Sequence, residues 1–352
     1  ETGVVRVHDF GRYLNGYCLT LEDFGGESLK ELLKRRRSSL PEFLDIALQT
    51  CAVLAELHLA DIIHKDVNPA NLVCNLANGK VKIIDFGIST LLPRLNPTLK
   101  APESLEGTLP YIAPEQTGRM NRMLDHRADF YSLGATFYEM LGGRPPFACE
   151  EASDLVYCHI ARRPEPLREL NPDVPEVVAE IVHRLLEKNA EDRYRSALGI
   201  QADLLECKRQ LDASGRIAPF PLAQRDTPHR FQIAQHLYGR EEMIERLLQI
   251  FAASREGLRK MALIAGYSGI GKTSLVRELY KPMTQFGGSF IAGKFDQFQR
   301  NTPYSALLAA FHELIQQTLA LDERALADCR QRILDAVGNN GQVIASVIPN
   351  VE

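Results

Sequence analysis

The sequence has no long hydrophobic run, no signal-peptide pattern and no excess of basic charge. No apolar stretch approaches the roughly 20 residues that a membrane-spanning helix requires, so we expect a soluble protein. Lysine and arginine together number 41 against 45 aspartate and glutamate residues, which gives a formal net charge of -4. Because there is no basic stripe, the sequence argues against nucleic acid as a partner.

The cysteines are not arranged as a disulfide framework either. Seven are scattered along the chain, at positions 18, 51, 74, 149, 158, 207 and 329, and none forms a C-x-x-C pair. An odd number without the spacing of a metal site fits reduced thiols better than disulfides or zinc. We therefore predict a cytoplasmic protein.

Polar side chains stand at the ends of short apolar runs in the first third of the chain. The segment HKDVNPAN occupies residues 64–71, DFG occupies 85–87, and GTLPYIAPE occupies 107–115. Asn71 follows Asp66 by five positions, which matches the H-R-D-x-x-x-x-N spacing of protein-kinase catalytic loops. DFG alone is modest evidence, because it is also an ordinary turn sequence. The three motifs in this order indicate a phosphoryl-transfer site.

The residue types at these positions fit that chemistry. Transfer of a γ-phosphoryl group passes through a loose transition state, so a protein mainly orients the attacking hydroxyl and neutralises charge through Mg²⁺. Asp66 would accept or orient the proton of the hydroxyl. Asn71 and Asp85 would supply oxygen ligands to Mg²⁺, which is a hard cation. We therefore expect ATP and Mg²⁺ as cofactors.

Residues 1 to about 211 resemble the C-terminal part of a eukaryotic-type serine/threonine protein kinase. The segment DFYSLG at 129–134 is similar to the family's D-x-W-S-x-G helix start, whose Asp braces the catalytic-loop backbone. Arg193 resembles the late arginine that pairs with the glutamate of the A-P-E motif, here Glu115. The resemblance implies an α+β protein-kinase-like fold with a mainly helical C-lobe and a protein substrate.

Three positions bear on the substrate and on regulation. Thr108 resembles the threonine that hydrogen-bonds the catalytic aspartate in serine/threonine kinases, which implies serine or threonine rather than tyrosine as the acceptor. Asn68 stands where the family has a lysine that contacts the γ-phosphate, so a positive charge is missing where charge develops. Lys65 replaces an arginine and cannot make a bidentate contact to a phosphorylated activation loop, so control by phosphorylation there is less expected.

The first residues of the chain resemble the middle of a kinase N-lobe. Two β-type segments flank the turn dipeptide Asn15-Gly16, which predicts a hairpin. The segment after the hairpin resembles the hinge whose backbone binds adenine, with Leu21 in the gatekeeper position. No Gly-rich phosphate loop or strand lysine precedes Glu22, so we expect an incomplete N-lobe and an internal fragment that is inactive as a kinase alone. The expected adenine-binding residues are Leu21, Glu22 and Phe24.

The rest of the kinase-like part is predicted to be helical. Ser28 can cap a short helix over residues 29–37, and Pro41 begins a longer helix with apolar residues at helical spacing. His64 is interpreted as a packing residue of the catalytic loop and His58 as an ordinary helix residue. Four further helices are expected at about residues 129–141, 154–162, 175–187 and 196–211.

A change of character after residue 211 predicts a domain boundary. At 352 residues the chain is long enough for two or three domains. One glycine and three prolines break the periodicity over residues 212–236, which predicts an extended linker. The kinase domain would then comprise residues 1–211 and a second domain residues 237–352.

The second domain carries the sequence GYSGIGKT at residues 266–273. Because an apolar run of strand type (261–265) precedes it and a predicted helix follows, the G-x-x-x-x-G-K-T motif stands in strand-loop-helix context. A Gly-rich turn before a helix is the alternative and fits this context less well. Backbone N–H groups would bind phosphate, Lys272 would reach the β- and γ-phosphates, and Thr273 would ligate Mg²⁺. The expected nucleotide-binding residues are Gly266, Ser268, Gly269, Ile270, Gly271, Lys272, Thr273 and Ser274.

This second part resembles the start of a AAA-like P-loop ATPase of the signal-transduction type, an α/β domain that is also expected to be incomplete. No apolar run after the P-loop ends in Asp-Asp or Asp-Glu, and the segment 290–296 contains Lys294, so no Walker B strand is apparent. A kinase followed by such a domain resembles large bacterial signalling proteins that continue into a sensory region and a histidine kinase. The resemblance implies those domains as partners in the same polypeptide.

Three functions stay open on the sequence alone. The preferred one is an active serine/threonine protein kinase coupled to a nucleotide-dependent switch domain. The second is a scaffold, weakly active or inactive because of Asn68, that the P-loop domain gates. The third is a small-molecule phosphotransferase, and Thr108 together with the A-P-E motif argues against it.

Overall fold

The computed structural model describes most of the chain. The described residues are 3–13, 16–91, 106–118, 124–149, 151–227, 239–267, 270–279, 304–319 and 323–338, with isolated positions between 282 and 295. The chain forms two compact units, residues 1–246 with 261–278 and residues 247–260 with 279–352.

Short antiparallel strands make up the β structure of the described residues. The strands are β1 (Val7–Tyr13), β2 (Gly16–Leu21), β3 (Glu27–Ser28), β4 (Ile62–Ile63), β5 (Leu72–Asn75), β6 (Lys80–Ile83) and β7 (Thr90–Leu91). β1 and β2 form the predicted hairpin, and β5 lies between β3 and β6 in a three-stranded sheet. β4 pairs with β7. β6 and β7 flank the DFG segment, and their partners β5 and β4 flank residues 64–71, which we call the catalytic loop. The pairing therefore holds the DFG segment close to the catalytic loop.

The helices of the first part follow the predicted order. They are α1 (Leu29–Arg35), α2 (Leu40–Leu59), α3 (Arg127–Gly142), α4 (Ala152–Ala161), α5 (Leu167–Leu170), α6 (Glu176–Leu185) and α7 (Ala197–Ser214). α3 is capped at its C-terminus by Gly143, whose φ of +81° is a left-handed conformation that glycine adopts without strain. Among the described residues, no helix combines the length and the apolar composition that crossing a bilayer requires.

The core is centred on α2 and α3. α2 begins at a capping box, in which the Glu42 N–H donates to Ser39 Oγ and the Ser39 N–H donates to Glu42 Oε2, each at 3.4 Å. The ring of Phe43 meets that of Phe137 edge-on, 5.1 Å between centroids, and both side chains are fully buried. The predicted core face of α2 is buried throughout, at Phe43, Ile46, Ala47, Thr50, Val53, Leu54 and Leu57.

α3 also packs very closely against α6. A Cβ atom at Gly134 would lie 2.6 Å from the Cβ of Leu185, which is closer than two such atoms can approach. Glycine at this position therefore lets the two helices come together. The apolar stripe of α6 is buried, at Val177, Val178, Ile181, Val182 and Leu185.

The predicted linker began too early, because residues 212–214 are still part of α7. Residues 216–227 lie against the helical part. They form no helix or strand, as expected, but Phe220 packs on the core. The Asp226 carboxylate accepts hydrogen bonds from the backbone N–H groups of Arg195 (2.7 Å) and Ser196 (2.9 Å), next to the start of α7. The expected lack of regular structure is therefore observed, while these hydrogen bonds and the apolar contacts hold the segment against the helical part. Residues 228–236 lie outside the described residues.

In the described part after residue 239, helices are the only regular secondary structure. They are α8 (Glu241–Arg255), α9 (Lys272–Arg277), Ser305–Leu319 and Glu323–Val337. Residues 261–265, predicted as a strand, are irregular, and Met261 and Leu263 are 92% and 89% exposed. The strand prediction was wrong because, among the described residues, no strand offers this run a ladder partner. The expected α/β architecture is accordingly not seen in the described residues of this part.

Candidate active site

The catalytic loop is held by a carboxylate at the start of α3. Asp129 is fully buried, and its two oxygens accept the backbone N–H groups of His64 (2.9 Å) and Lys65 (2.7 Å). Lys65 has a φ of +69°, a left-handed conformation that costs free energy for a residue with a Cβ. The paired hydrogen bonds to Asp129 hold the loop in this conformation. This is the bracing role that the resemblance implied.

His58 completes this support, and the sequence interpretation of it was wrong. Its Nε2 lies 2.8 Å from the Asp129 carboxylate, and its ring meets that of Phe130 at 5.3 Å. Burial alone would raise the pKa of Asp129, but the hydrogen bond from His58 and the nearby histidines hold that pKa below its usual range. His58 and Asp129 are 71 positions apart. No local sequence signal could have paired them.

The catalytic-loop carboxylate lies between two donors. Asp66 Oδ1 accepts the backbone N–H of Thr108 at 2.9 Å, and Asp66 Oδ2 accepts the side-chain amide of Asn71 at 2.9 Å. The same amide also donates to the Asp66 carbonyl, at 2.9 Å. Asp66 is partly exposed, so its carboxylate is oriented by the protein and still accessible to a substrate.

Sheet register brings Asp85 next to this pair. Leu72 is opposite Ile83, and beyond that pair the N–H of Ile84 donates to the Asn71 carbonyl at 3.0 Å. Asp85 is the next residue, exposed, with a φ of +63°. Its Oδ1 accepts the N–H of Gly87 at 3.1 Å, as in an Asx turn.

His64 links the catalytic loop to the DFG segment. Its Nε2 lies 3.1 Å from the Ile84 carbonyl, and its ring packs edge-on against Phe86 with 4.8 Å between centroids. The side chain is fully buried. These contacts match the packing role expected for His64.

The donor set suits a magnesium–nucleotide complex. Asn71 uses its amide N–H groups on Asp66, which leaves its side-chain oxygen as the atom that could ligate a cation. Among the described residues, no group of three His, Cys, Asp or Glu side chains could hold a metal by itself. Asn71 and Asp85 would therefore share Mg²⁺ with phosphate oxygens and water, which is how this cation is usually bound.

The side chain of Asn68 forms all its hydrogen bonds with groups of the protein. Its amide donates to the Thr108 hydroxyl at 3.1 Å and to the Asp66 carbonyl at 3.2 Å, and its oxygen accepts the Ala70 N–H at 2.8 Å. The residue is 2% exposed. Asn68 therefore joins the catalytic loop to the segment that carries Thr108.

An ion pair and a glutamine join the same two segments. Lys65 Nζ lies 3.1 Å from Glu106 Oε2. The Gln116 side-chain amide donates to the Lys65 carbonyl at 2.8 Å and to the Glu106 carbonyl at 3.4 Å. The segment before Thr108 is thus attached to the catalytic loop through charge and through hydrogen bonds.

Arg193 and Glu115 form a buried bidentate ion pair. The two guanidinium–carboxylate distances are 2.6 and 2.9 Å, and the side chains are almost completely shielded from solvent. Arg193 also donates to the carbonyls of Arg127 (2.8 Å) and Glu187 (2.7 Å). The pair expected from the sequence is therefore present, and it ties the A-P-E segment to α3 and to the chain after α6.

The expected adenine-binding segment is held by local contacts. The Glu22 N–H donates to the Arg6 carbonyl at 2.9 Å, so a ligand could not use that N–H. A hydrogen bond from Lys82, and a second from the Arg6 N–H, lower the pKa of the Glu22 carboxyl. Lys82 also lies over the Phe24 ring, 5.2 Å from its centroid, and Leu21 is 46% exposed at the end of β2.

The P-loop segment is described in part, since Ser268 and Gly269 lie outside the described residues. Lys272 Nζ donates to the carbonyls of Gly266 and Tyr267, both at 2.7 Å, so the ammonium group lies over the loop. Gly271 has a φ of +89° and precedes α9, the helix that Lys272 begins. The remaining expected residues adjoin it: Ile270 and Thr273 are exposed, and Ser274 is half-buried.

Comparison with known proteins gives two family matches. The protein kinase domain model matches residues 1–204, and the AAA ATPase domain model matches residues 236–349. The chain is 35% identical over 261 residues to "Hybrid signal transduction histidine kinase G" of Dictyostelium discoideum, which is 68% of the chain and 8% of that protein. It is 37% identical over 234 residues to "Serine/threonine-protein kinase PknA" of Mycobacterium tuberculosis, 65% of the chain and 51% of that protein. A probable serine/threonine-protein kinase of Streptomyces coelicolor is 32% identical over 209 residues, 58% of the chain and 31% of that protein.

Proposed function

Since the chain belongs to the protein kinase family, with a kinase domain followed by a AAA ATPase domain, we propose that it transfers the γ-phosphoryl group of ATP to serine or threonine hydroxyls of a protein. The proposal rests on Asp66, whose carboxylate lies between the Thr108 N–H and the Asn71 amide and is still accessible. In this position the carboxylate can accept a hydrogen bond from an incoming hydroxyl and orient its oxygen toward a phosphoryl group.

The other site residues would have supporting roles. Asn71 and Asp85 would hold Mg²⁺, which when bound neutralises the phosphate oxygens. Leu21, Glu22 and Phe24 would line the adenine end of the site. By its resemblance to the family's threonine, Thr108 would favour serine or threonine as the acceptor. Its contact with Asp66 is made by the backbone N–H, and its hydroxyl accepts the Asn68 amide instead.

A second nucleotide would bind at the P-loop. Lys272 lies over the carbonyls of Gly266 and Tyr267, from which its ammonium group can move to phosphate oxygens. Gly266 to Ser274 would supply the loop, and Thr273 a ligand to Mg²⁺. We propose that this nucleotide regulates the kinase in a signal-transduction protein, without assigning hydrolysis to it.

We also propose the domain limits and the wider context. Residues 1–211 form the kinase domain, 212–236 the connection and 237–352 the ATPase domain, and the family matches at 1–204 and 236–349 support these limits. The similarity to a hybrid histidine kinase supports sensor and histidine-kinase domains in the same polypeptide. Seven free thiols support a cytoplasmic location.

A second function is favoured by one observation. Asn68 replaces a positive charge and uses its amide on three groups of the protein, so it has nothing left to offer a phosphate. A weakly active or inactive kinase-like scaffold, gated by the P-loop domain, is therefore the alternative.

Labelled phosphate transfer separates the two functions. Full-length protein is incubated with labelled ATP and serine, threonine and tyrosine peptides, alongside the Asp66→Asn variant. We expect label on serine or threonine with the wild type and none with the variant, whose fold is checked by its melting curve. Equal labelling by both proteins would reject the role of Asp66, and no labelling by either would favour the scaffold.

A further inference from the structure

The connection between α3 and α4 brings two cysteines together. Cys149 lies in this connection and Cys158 on α4, nine positions later, and their sulfur atoms are 3.5 Å apart. Both thiols are free. Neither has a role in the proposed phosphoryl transfer.

The two thiols differ in access. Cys158 is 4% exposed and lies in a small apolar cluster with Phe147 and Leu155, whereas Cys149 is partly exposed at its edge. A reagent from solvent therefore meets Cys149 first. Cys158 lies behind Cys149, and a small shift of the connection between α3 and α4 would bring the two sulfur atoms to bonding distance.

The surroundings favour a covalent bond over a metal. No third His, Cys, Asp or Glu side chain joins the pair to make a metal site in the described part of the chain. A tetrahedral metal needs more ligands than two thiols. A disulfide needs only two thiols, a sulfur separation reduced to about 2.05 Å and a suitable dihedral angle.

We propose that Cys149 and Cys158 are a peroxide-sensitive dithiol that forms a reversible disulfide. The Cys149 thiolate attacks hydrogen peroxide, breaking the O–O bond to give a sulfenic acid and hydroxide. The Cys158 thiol then attacks the Cys149 sulfur, and the S–O bond breaks to release water. The two thiols lose two protons and two electrons in total, and the peroxide is reduced to two water molecules.

Oxidation of Cys149 would be slow, so the disulfide would form under sustained rather than brief exposure to hydrogen peroxide. Partial burial, and the hydrogen bond with Cys158, raise the pKa of the Cys149 thiol, so its thiolate is scarce near neutral pH. Asp154 on α4 acts in the same direction, and Arg162 opposes it. On the other side of the pair, Lys188 donates to the Cys158 carbonyl at 3.3 Å.

The disulfide would restrict the motion of residues 108–112, the segment that begins at Thr108. Leu109, the residue after Thr108, packs on the same cluster as the two cysteines. The N–H of Tyr111 donates to the Thr108 carbonyl at 3.0 Å, and that of Ile112 to the Leu109 carbonyl at 3.3 Å. A bond that closes a nine-residue separation restricts opening of the cluster, so these amides should exchange with solvent more slowly.

Mass spectrometry of full-length protein tests the proposal without any assay of kinase activity. After hydrogen peroxide, we expect a peptide pair linking Cys149 to Cys158, lighter by the two thiol hydrogens and restored by dithiothreitol. Amide exchange over residues 106–112 should slow on oxidation and recover on reduction. The Cys18→Ser variant, which removes an exposed thiol, should form the same link in the same yield.

Two variants distinguish the order of events. In Cys158→Ala, Cys149 should accumulate as a sulfenic acid that a dimedone-type reagent traps, and in Cys149→Ser neither link nor trapped acid should appear at Cys158. Cys149 is partly exposed, so Cys149→Ser is expected to fold even if the buried variant does not. A stable sulfenic or sulfinic acid at Cys149 in the wild type, or no change at either thiol, would overturn the proposal.

Discussion

The side-chain amide of Asn68 donates a hydrogen bond to the hydroxyl of Thr108, 3.1 Å away and 40 positions later in the chain. The contact joins the catalytic loop to the segment that carries the expected acceptor specificity. Asn68 also accepts the Ala70 N–H and is almost fully buried, so removing its amide leaves polar groups without partners. Asn68 is thus a positioning residue within the proposed site.

Asn68→Ala should lower kcat/KM for a protein substrate about tenfold, corresponding to one lost hydrogen bond of about 1.4 kcal/mol. The KM for ATP should change little, because Asn68 faces Thr108 and the loop rather than a phosphate. Steady-state kinetics with both substrates measures this split. Thr108→Val should have a similar effect, and the double variant should lose less than the product of the two. If the fold-losses in kcat/KM of the two single variants multiply in the double variant, the hydrogen bond between Asn68 and Thr108 does not couple the two residues.

Removal of Arg193 should destabilise the kinase domain strongly. Arg193→Leu leaves the Glu115 carboxylate buried and unpaired, so the free energy of unfolding should fall by about 3 to 5 kcal/mol. Arg209→Leu is the matched control, because its pair with Glu206 lies on the surface, where solvent screens the two charges, and should contribute little to stability. Denaturant titration of both variants measures the difference. Equal losses would mean that burial of the Arg193 pair is unimportant.

His58→Phe keeps a ring against Phe130 and removes the hydrogen bond to Asp129. Near neutral pH we expect a loss of about 1 to 3 kcal/mol in the free energy of unfolding. The folded-state pKa of Asp129 is lowered, so the ionised carboxylate stabilises the fold above its ordinary value of 3.8, and this stabilisation is lost as the pH falls through the folded-state pKa. The gap between wild type and variant should therefore narrow in acid. A gap independent of pH would contradict this account.

The first half of the connection after α7 should contribute to stability. Asp226→Ala removes the acceptor for the N–H groups of Arg195 and Ser196, so melting should occur at lower temperature, with a loss of about 1 to 2 kcal/mol in the free energy of unfolding. Asp212→Ala is the control, since its contact with Lys208, 3.9 Å away at the surface, is screened by solvent. If both variants melt alike, residues 216–227 do not hold the start of α7.

Local patterns in the sequence predicted the hairpin and every helix of the first part except α5, and the resemblance to the kinase family predicted the pairing of Arg193 with Glu115. These features depend on helical spacing, turn residues and motif order, all of which can be read along the chain. The contact of His58 with Asp129 and the hydrogen bonds that Asp226 accepts depend on side chains that meet across long separations. The sequence around His58 or Asp226 therefore contains no pattern that identifies the partner.

Two further features could not be predicted from the sequence: a contact that no motif signalled, between Cys149 and Cys158, and a strand that composition favoured at 261–265 but that did not form. Cys149 and Cys158 gave no C-x-x-C signal, yet the connection before α4 brings their sulfur atoms to 3.5 Å. The apolar run at 261–265 had the composition of a strand but has no described neighbour to pair with. Composition favours a strand, and a second strand must supply the hydrogen bonds.

The most direct test separates nucleotide binding from chemistry at the proposed site. In a Lys272→Ala background, which should abolish the proposed P-loop site, titration with Mg²⁺ and a non-hydrolysable ATP analogue should report the kinase site alone. Asp66→Asn should bind the analogue as tightly as the parent and transfer no phosphate from ATP. Asp85→Asn should lose the Mg²⁺-dependent part of the binding. If Asp85→Asn binds as the parent does, or Asp66→Asn still transfers phosphate, then Asp66, Asn71 and Asp85 do not serve one magnesium–nucleotide complex.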